Sequence, residues 1–124
     1  MLAEAQAAGL ELELIAVREG DEFESRSGKR VTLSPGVFRA VSQTVTPQGV
    51  IAIARIVEPD ARAAIEAARV RHWPLVVLDG VQDPGNVGAI CRTAAAAGAP
   101  AVAVLQGSAD PYGAKAVRAS AGNV

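Results

Sequence analysis

The stretch VVLDGVQDPGNVGAICRTAAAAGAPAVAVL, residues 76–105, decides the fold class of this chain. It begins with a continuous apolar run, passes through a turn of Asp, Pro and Gly, and continues as a helix-like segment of small residues. It ends in a second apolar run. A strand, a helix and a strand joined by short connections form a parallel βαβ unit. The stretch therefore predicts an α/β fold with a parallel sheet.

The predicted helix, residues 85–98, has an apolar stripe at positions 87, 90, 91, 94 and 95 that we expect to pack on the sheet. Arg92 lies off this stripe, four residues after Gly88 and seven after Gly85, so the three share a face. Because helical side chains lean towards the N-terminus, Arg92 is expected to lean over a strip where the glycines have no side chains. Asn86 lies beside this strip, next to free backbone N–H groups that favour anions.

Two interpretations of this pattern are open. In the first, the strip receives a phosphate or a polarised oxygen at the C-terminal end of a parallel strand, where open α/β sheets bind ligands. In the second, the glycines only permit tight packing of the helix on the sheet, and Arg92 is a solvated surface residue. The spacing is not G-x-G-x-x-G and no Walker lysine follows, so ordinary dinucleotide and P-loop sites are disfavoured.

The composition is typical of a globular chain with an aliphatic core. Half of the 124 residues are apolar and the net charge is -1. The low charge weakens, without excluding, a nucleic-acid-binding function, because a local basic patch can still serve. The single cysteine excludes an internal disulfide and favours a cytosolic location. No apolar run approaches the roughly 20 residues of a membrane span, and the one histidine, His72, has no cluster of metal ligands beside it.

Charge divides the chain into two parts, since the first 73 residues hold nine of the 12 Lys and Arg and ten of the 13 Asp and Glu. We place an α+β domain at residues 1–57, a linker at 58–73 and an α/β domain at 74–124. Asp60 is expected to cap a helix or connector within the linker. The elements predicted for the first domain are a helix over residues 2–8, a strand over 12–17, a charged surface loop over 18–30, a helix that starts at Ser34 and Pro35, and a strand over 49–57 buried on both faces.

The segment YGAKAVRASAGNV, after the second apolar run, predicts the start of another helix. Lys115 and Arg118 lie three residues apart, with Ser120 and Gly122 beyond them. Taken alone, this pattern favours a solvated basic helix face. Its position after the second strand places it near the sheet end that Arg92 is expected to face.

The segments LDGVQDPGNVGAICRTAAAAGA and KAVRASAGNV resemble, in this order, the first two sequence motifs of the SpoU/TrmH family of RNA ribose 2'-O-methyltransferases, in the SPOUT superfamily. The spacing N-x-G-x-x-x-R from Asn86 to Arg92 and the run K-x-x-R-x-S-x-G from Lys115 carry the resemblance. Residues 1–57 resemble the small N-terminal substrate-binding domain of this family, most clearly in TVTPQGVIAIA. Asn123 departs from the pattern, because the family more often has a small residue there.

The resemblance implies that the second domain is an α/β-knot domain that transfers a methyl group from S-adenosyl-L-methionine to a ribose 2'-hydroxyl of rRNA or tRNA. It implies that Arg92 and Asn86 are catalytic and that the active form of the full-length protein is a homodimer, which the single cysteine and the lack of a long apolar run lead us to expect in the cytoplasm and not in a membrane. The residues expected to bind the RNA substrate are Gly85, Gly88, Lys115, Arg118 and Ser120.

A third family motif, which supplies most of the cofactor-binding loops, has no match in these residues. The chain is therefore expected to be a fragment of a longer methyltransferase, and the isolated chain is expected neither to bind S-adenosylmethionine tightly nor to turn over. One alternative is a SpoU-like module that binds RNA without catalysis. Another is a purely structural parallel α/β unit with an incidental glycine turn.

Overall fold

The computed structural model describes residues 10–24, 28–42, 44–57 and 60–124. The chain divides into two compact units, residues 1–57 and 58–124. The helix predicted over residues 2–8 lies outside the described residues. The predicted α/β class, with a parallel pair of strands in the second unit, is confirmed.

The first unit is built on a three-stranded sheet. Its elements are β1 (Leu12–Arg18), β2 (Lys29–Leu33), α1 (Pro35–Val41) and β3 (Val50–Ala54). The central strand β1 pairs in parallel with β2 and antiparallel with β3. Leu12, Ile15 and Val17 of β1 form the buried core cluster of this unit, and the partly buried apolar side chains that pack against it include Phe23 and Val50.

The structure confirms the strand over residues 12–17 and the helix that starts at Pro35, but two other predictions for this unit are wrong. Lys29 and Arg30 belong to β2 rather than to a surface loop. The strand predicted over 49–57 is shorter and is not buried on both faces, since Ile53 is 53% exposed. An antiparallel strand commonly has one face in solvent, whereas burial on both faces is typical of parallel sheets.

The second unit contains the predicted order of strand, helix and strand. Its elements are α2 (Ala61–Arg71), β4 (Val76–Leu78), α3 (Pro84–Ala96), β5 (Val102–Val104) and α4 (Ala114–Ala119). Strands β4 and β5 pair in parallel, with Val77 opposite Ala103. Leu78, Val87 and Cys91 form a buried cluster, so the apolar stripe of α3 packs on the sheet.

The segment predicted as a linker contains α2 and belongs to the second compact unit. Asp60 accepts the backbone N–H groups of Arg62 and Ala63 at 2.9 and 3.2 Å, which confirms its predicted role as a helix cap. Among the described residues, no helix has the length and apolar character needed to span a membrane. The same residues contain no group of three or more His, Cys, Asp or Glu side chains placed to hold a metal ion.

Candidate functional site

The candidate site forms around the first turn of α3. Asp83 precedes this helix, and its Oδ1 accepts the backbone N–H of Asn86 at 3.0 Å. The carbonyl oxygen of Asp83 accepts the N–H of Val87 at 3.1 Å. Pro84 occupies the first helical position, where no N–H group is needed. The N-cap thus satisfies N–H groups that a helix start leaves free and fixes the backbone that carries Asn86.

Asp83 also joins α3 to α4. Its Oδ2 accepts a hydrogen bond from Nζ of Lys115 at 2.8 Å, across 32 positions of sequence. This hydrogen bond is the main cause that lowers the pKa of Asp83, and the N–H of Asn86 lowers that pKa further. The side chains of Lys115 and Asp83 are 59% and 49% exposed, so the ion pair is a surface contact.

Two glycines of α3 lie under α4 and its lysine. A methyl group at Gly85 would lie 3.4 Å from Cε of Lys115, so the lysine side chain passes over this residue. A methyl group at Gly88 would overlap the carbonyl oxygen of Ala116 and would lie 2.7 Å from Cβ of Ala119. Gly88 therefore allows the two helices to approach closely, because it has no Cβ.

The prediction that Gly88 leaves an open strip beneath Arg92 is wrong. Gly88 is buried, and backbone atoms of α4 fill the space beside it. The interpretation of tight packing holds for Gly88, although the neighbour is a second helix rather than the sheet. Atoms of α4 lie beside Gly88 and the side chain of Lys115 lies over Gly85, and substrate contacts by these two glycines stay predictions.

Ser120 closes the C-terminal end of α4. Its side chain is fully buried, and its Oγ donates to the carbonyl oxygen of Val117 at 2.8 Å and accepts the N–H of Gly122 at 3.1 Å. Nδ2 of Asn123 donates to the carbonyl oxygen of Ser120 at 2.8 Å. The hydroxyl of Ser120 is thus used to terminate the helix, and a substrate contact by this residue stays a prediction.

The two arginines of the candidate site are exposed. Arg92 lies on α3 one turn beyond Gly88, and Arg118 lies on α4. Within the part of the chain that the structure describes, neither guanidinium forms an ion pair. A guanidinium stays protonated and has five N–H donors, so Arg92 is available to bind a phosphate or an anionic oxygen. The structure thus brings Asn86 and Lys115 together through Asp83, and it places Arg92 and Arg118 on the same two helices.

Hydrogen bonds also connect the loops that follow β4 and β5. Oγ of Ser108 donates to the carbonyl oxygen of Leu78 at 3.3 Å and accepts the N–H of Val81 at 3.1 Å. A concavity of about 430 Å³ lies along β5 and its loop, within the segment 102–112, and is open to solvent. Cofactor sites bury most of the surface of their ligand. The described residues of this concavity therefore do not by themselves fit S-adenosylmethionine.

Asp83 is absent from the predicted site residues. Its position before Pro84 and a helix is the usual pattern of an N-cap, and this pattern was enough to identify it. Its contact with Lys115 has no local sequence signal, because the two residues are 32 positions apart.

Comparison with solved structures identifies the fold. The crystal structure of the SpoU methyltransferase AviRb from Streptomyces viridochromogenes, in complex with the cofactor AdoMet, matches with a TM-score of 0.75 at 24% sequence identity. The match covers 98% of this chain and 47% of AviRb. The chain therefore has the α/β fold of a SpoU methyltransferase.

Sequence comparison identifies the family. The profile of the SpoU rRNA Methylase family matches residues 74–124. The 23S rRNA (guanosine(2553)-2'-O)-methyltransferase RlmP of Bacillus subtilis is 37% identical over 91 residues, which are 73% of this chain and 34% of RlmP. The mitochondrial rRNA methyltransferase 3 of Homo sapiens is 37% identical over 84 residues, 65% of this chain and 20% of that protein. Residues 74–124 therefore belong to the SpoU rRNA methylase family, and the chain spans about a third of RlmP and a fifth of the human protein.

Proposed function

We propose that the protein containing this chain transfers a methyl group from S-adenosylmethionine to a ribose 2'-hydroxyl of rRNA or tRNA. Family membership supports the reaction, and the 37% identity to RlmP, named for 2'-O-methylation of 23S rRNA, supports the RNA substrate. The observation that carries the proposal in this chain is the exposed guanidinium of Arg92, which forms no ion pair within the described residues.

Arg92 is proposed to bind the substrate at the reacting hydroxyl. A guanidinium is a poor base and a good hydrogen-bond donor. A contact with an RNA phosphate would hold the ribose in position. Hydrogen bonds to the 2'-oxygen would stabilise the negative charge that develops there during transfer. S-adenosylmethionine supplies the methyl group when bound.

Asn86, Lys115 and Arg118 are proposed to orient the RNA. Asn86 lies in the first turn of α3 and is exposed, so its side-chain amide can donate hydrogen bonds to a ribose or phosphate oxygen. Lys115 and Arg118 are exposed and lie three positions apart, so both face the same side of α4. The site therefore offers cations and an amide to a ribose-phosphate backbone.

The first unit is proposed to contact RNA as well. Lys29 and Arg30 of β2 and Arg39 of α1 are exposed and form no ion pair with the described residues, so they offer cations to phosphate groups. We also propose that the active protein is a cytoplasmic homodimer involved in rRNA processing. The family resemblance supports the dimer, and the single free cysteine, Cys91, supports the location.

Methyl transfer by the full-length protein tests the proposal. Tritiated S-adenosylmethionine is supplied with unmodified ribosomal and transfer RNA transcripts, and label in RNA is counted. Arg92→Ala is expected to lower kcat by about 10²–10³-fold, because it removes a donor to the developing charge, while cofactor binding is largely retained. Arg71→Ala, which removes an exposed arginine at the end of α2, is the matched control and should retain activity.

Equal activity of the Arg92→Ala and Arg71→Ala variants would refute the role of Arg92. A wild-type protein that binds RNA but labels none of the transcripts would refute the enzyme function. In that case an RNA-binding module without catalysis is the better description.

A further inference from the structure

The carboxylate of Asp83 has hydrogen-bonding partners on two helices. Oδ1 accepts the N–H of Asn86 on α3 at 3.0 Å, and Oδ2 accepts from Nζ of Lys115 on α4 at 2.8 Å. The lysine side chain crosses Gly85, where its Cε lies 3.4 Å from the position of an added methyl group. Lys115 is thus held against the turn of α3 that carries Asn86.

Folding alone does not explain a negative charge at this position. Asn and Asp are about equally good N-cap residues, so a neutral amide would cap α3 as well. Exposed ion pairs contribute little to stability, and the side-chain exposures of 59% for Lys115 and 49% for Asp83 put this pair in that class. The main effect of the charge is therefore on the ammonium group of Lys115.

We propose that Asp83 is a positioning residue that orients Lys115 towards a phosphate of the RNA substrate. The proposal rests on the RNA 2'-O-methyltransferase function proposed above. An ammonium group has three N–H donors, so the bond to Asp83 leaves two for phosphate oxygens. A lysine side chain is otherwise flexible, and holding it in one orientation before RNA binds lowers the entropic cost of ordering it in the complex.

The carboxylate also reduces the positive charge that the site presents. A neutral residue at position 83 would release the ammonium of Lys115 and remove a charge that repels phosphate. Affinity for RNA should then rise because of the charge, whereas turnover should fall because the orientation is lost. A residue with only a structural role would not change binding and turnover in opposite directions.

Asp83→Asn in the full-length protein tests this inference, because Asn keeps the cap and removes the charge. With an unmodified rRNA transcript, kcat is expected to fall about ten- to a hundredfold. The dissociation constant for a fluorescein-labelled single-stranded RNA of mixed sequence is expected to fall about three- to tenfold. Asp60→Asn is the matched control at the N-cap of α2, where the described contacts of the carboxylate are backbone N–H groups. It should change neither quantity.

Lys115→Met shows whether Asp83 acts through the lysine. This variant should bind RNA more weakly and should reduce the slope of log affinity against log salt by about 0.7, the value for one phosphate contact on a single strand. In the Lys115→Met background, Asp83→Asn should lower kcat no further.

The inference would be overturned if Asp83→Asn lowered kcat further in the Lys115→Met background. It would also be overturned if Asp83→Asn and Asp60→Asn had the same kcat and the same affinity for RNA. The proposed function fails separately, if the wild-type protein transfers no methyl group to RNA. In that event the difference in RNA affinity between Asp83→Asn and Asp60→Asn still decides whether Asp83 controls Lys115.

Discussion

Replacement of Gly88 by alanine tests the close approach of α3 and α4. The added methyl carbon would lie 2.7 Å from Cβ of Ala119 and 2.9 Å from the backbone nitrogen of Ser120. An ordinary carbon contact is about 3.5–4.0 Å, so the helices would have to separate by about 1 Å. Backbone atoms cannot rotate away as the end of a side chain can. Overpacking of this kind costs about 1–3 kcal/mol.

Helix propensity acts in the opposite direction at Gly88. Alanine in place of glycine stabilises a helix interior by about 1 kcal/mol. We expect an overpacking cost in the upper part of its range, because backbone atoms of α4 are among the atoms that would collide. The net loss in the free energy of unfolding should be about 1–2 kcal/mol.

Urea unfolding of the 124-residue chain, followed by tryptophan fluorescence, measures this loss. Trp73 is the single tryptophan and packs against Gly98 of the second unit, so its fluorescence reports that unit. Gly85→Ala is the comparison in the same helix, because its methyl group would meet the ends of two side chains, Oδ1 of Asp83 at 2.8 Å and Cε of Lys115 at 3.4 Å, rather than backbone atoms. Its cost should be at most about 1 kcal/mol, the value of the cap at Asp83 that it would disturb, and the gain in helix propensity offsets part of that cost. If Gly88→Ala destabilised the chain no more than Gly85→Ala does, the two helices would not be packed through Gly88.

Two further predictions concern Asp83 and Cys91. Lys115 lowers the pKa of Asp83 in the folded chain, so its contribution to stability is present at neutral pH and is lost as pH falls below about 4 towards the folded pKa. The urea midpoint should therefore fall more between about pH 5 and pH 3 in the wild type than in Asp83→Asn, and parallel curves would contradict the ion pair. Burial raises the pKa of the Cys91 thiol. At about pH 8 a thiol reagent should therefore modify the native chain at least about ten times more slowly than it modifies the urea-unfolded chain. Equal rates would contradict the burial of Cys91.

Short-range patterns predicted most elements of the chain. The helix start at Pro35, the cap at Asp60 and the order of strand, helix and strand follow from residues that are neighbours in sequence. Strand β2 escaped prediction because it begins with two charged residues, Lys29 and Arg30, and is stabilised by pairing with β1. A partner strand elsewhere in the chain leaves no mark on the local pattern.

The candidate site was predicted in part. Motif spacing identified the helix that carries Asn86 and Arg92, and both residues are exposed on it. The prediction of open space at Gly88 was wrong, because a residue without a side chain leaves room beside the helix but does not show which part of the chain fills that room. Here it is filled by α4. Substrate roles for Asn86, Arg92 and Arg118 stay predictions, whereas Ser120 is buried and bonded within α4.

Local sequence was sufficient for the α/β class, the resemblance to SpoU methyltransferases and the helix on which Arg92 lies, because periodicity, capping and motif spacing are properties of neighbouring residues. Contacts between distant segments were needed to show that α4 packs on Gly88 and that Lys115 binds Asp83. These contacts arise only when α3 and α4 are brought together on folding. The physical reason is that helix packing depends on the shape and backbone of both partners, and the sequence of one helix describes only its own surface.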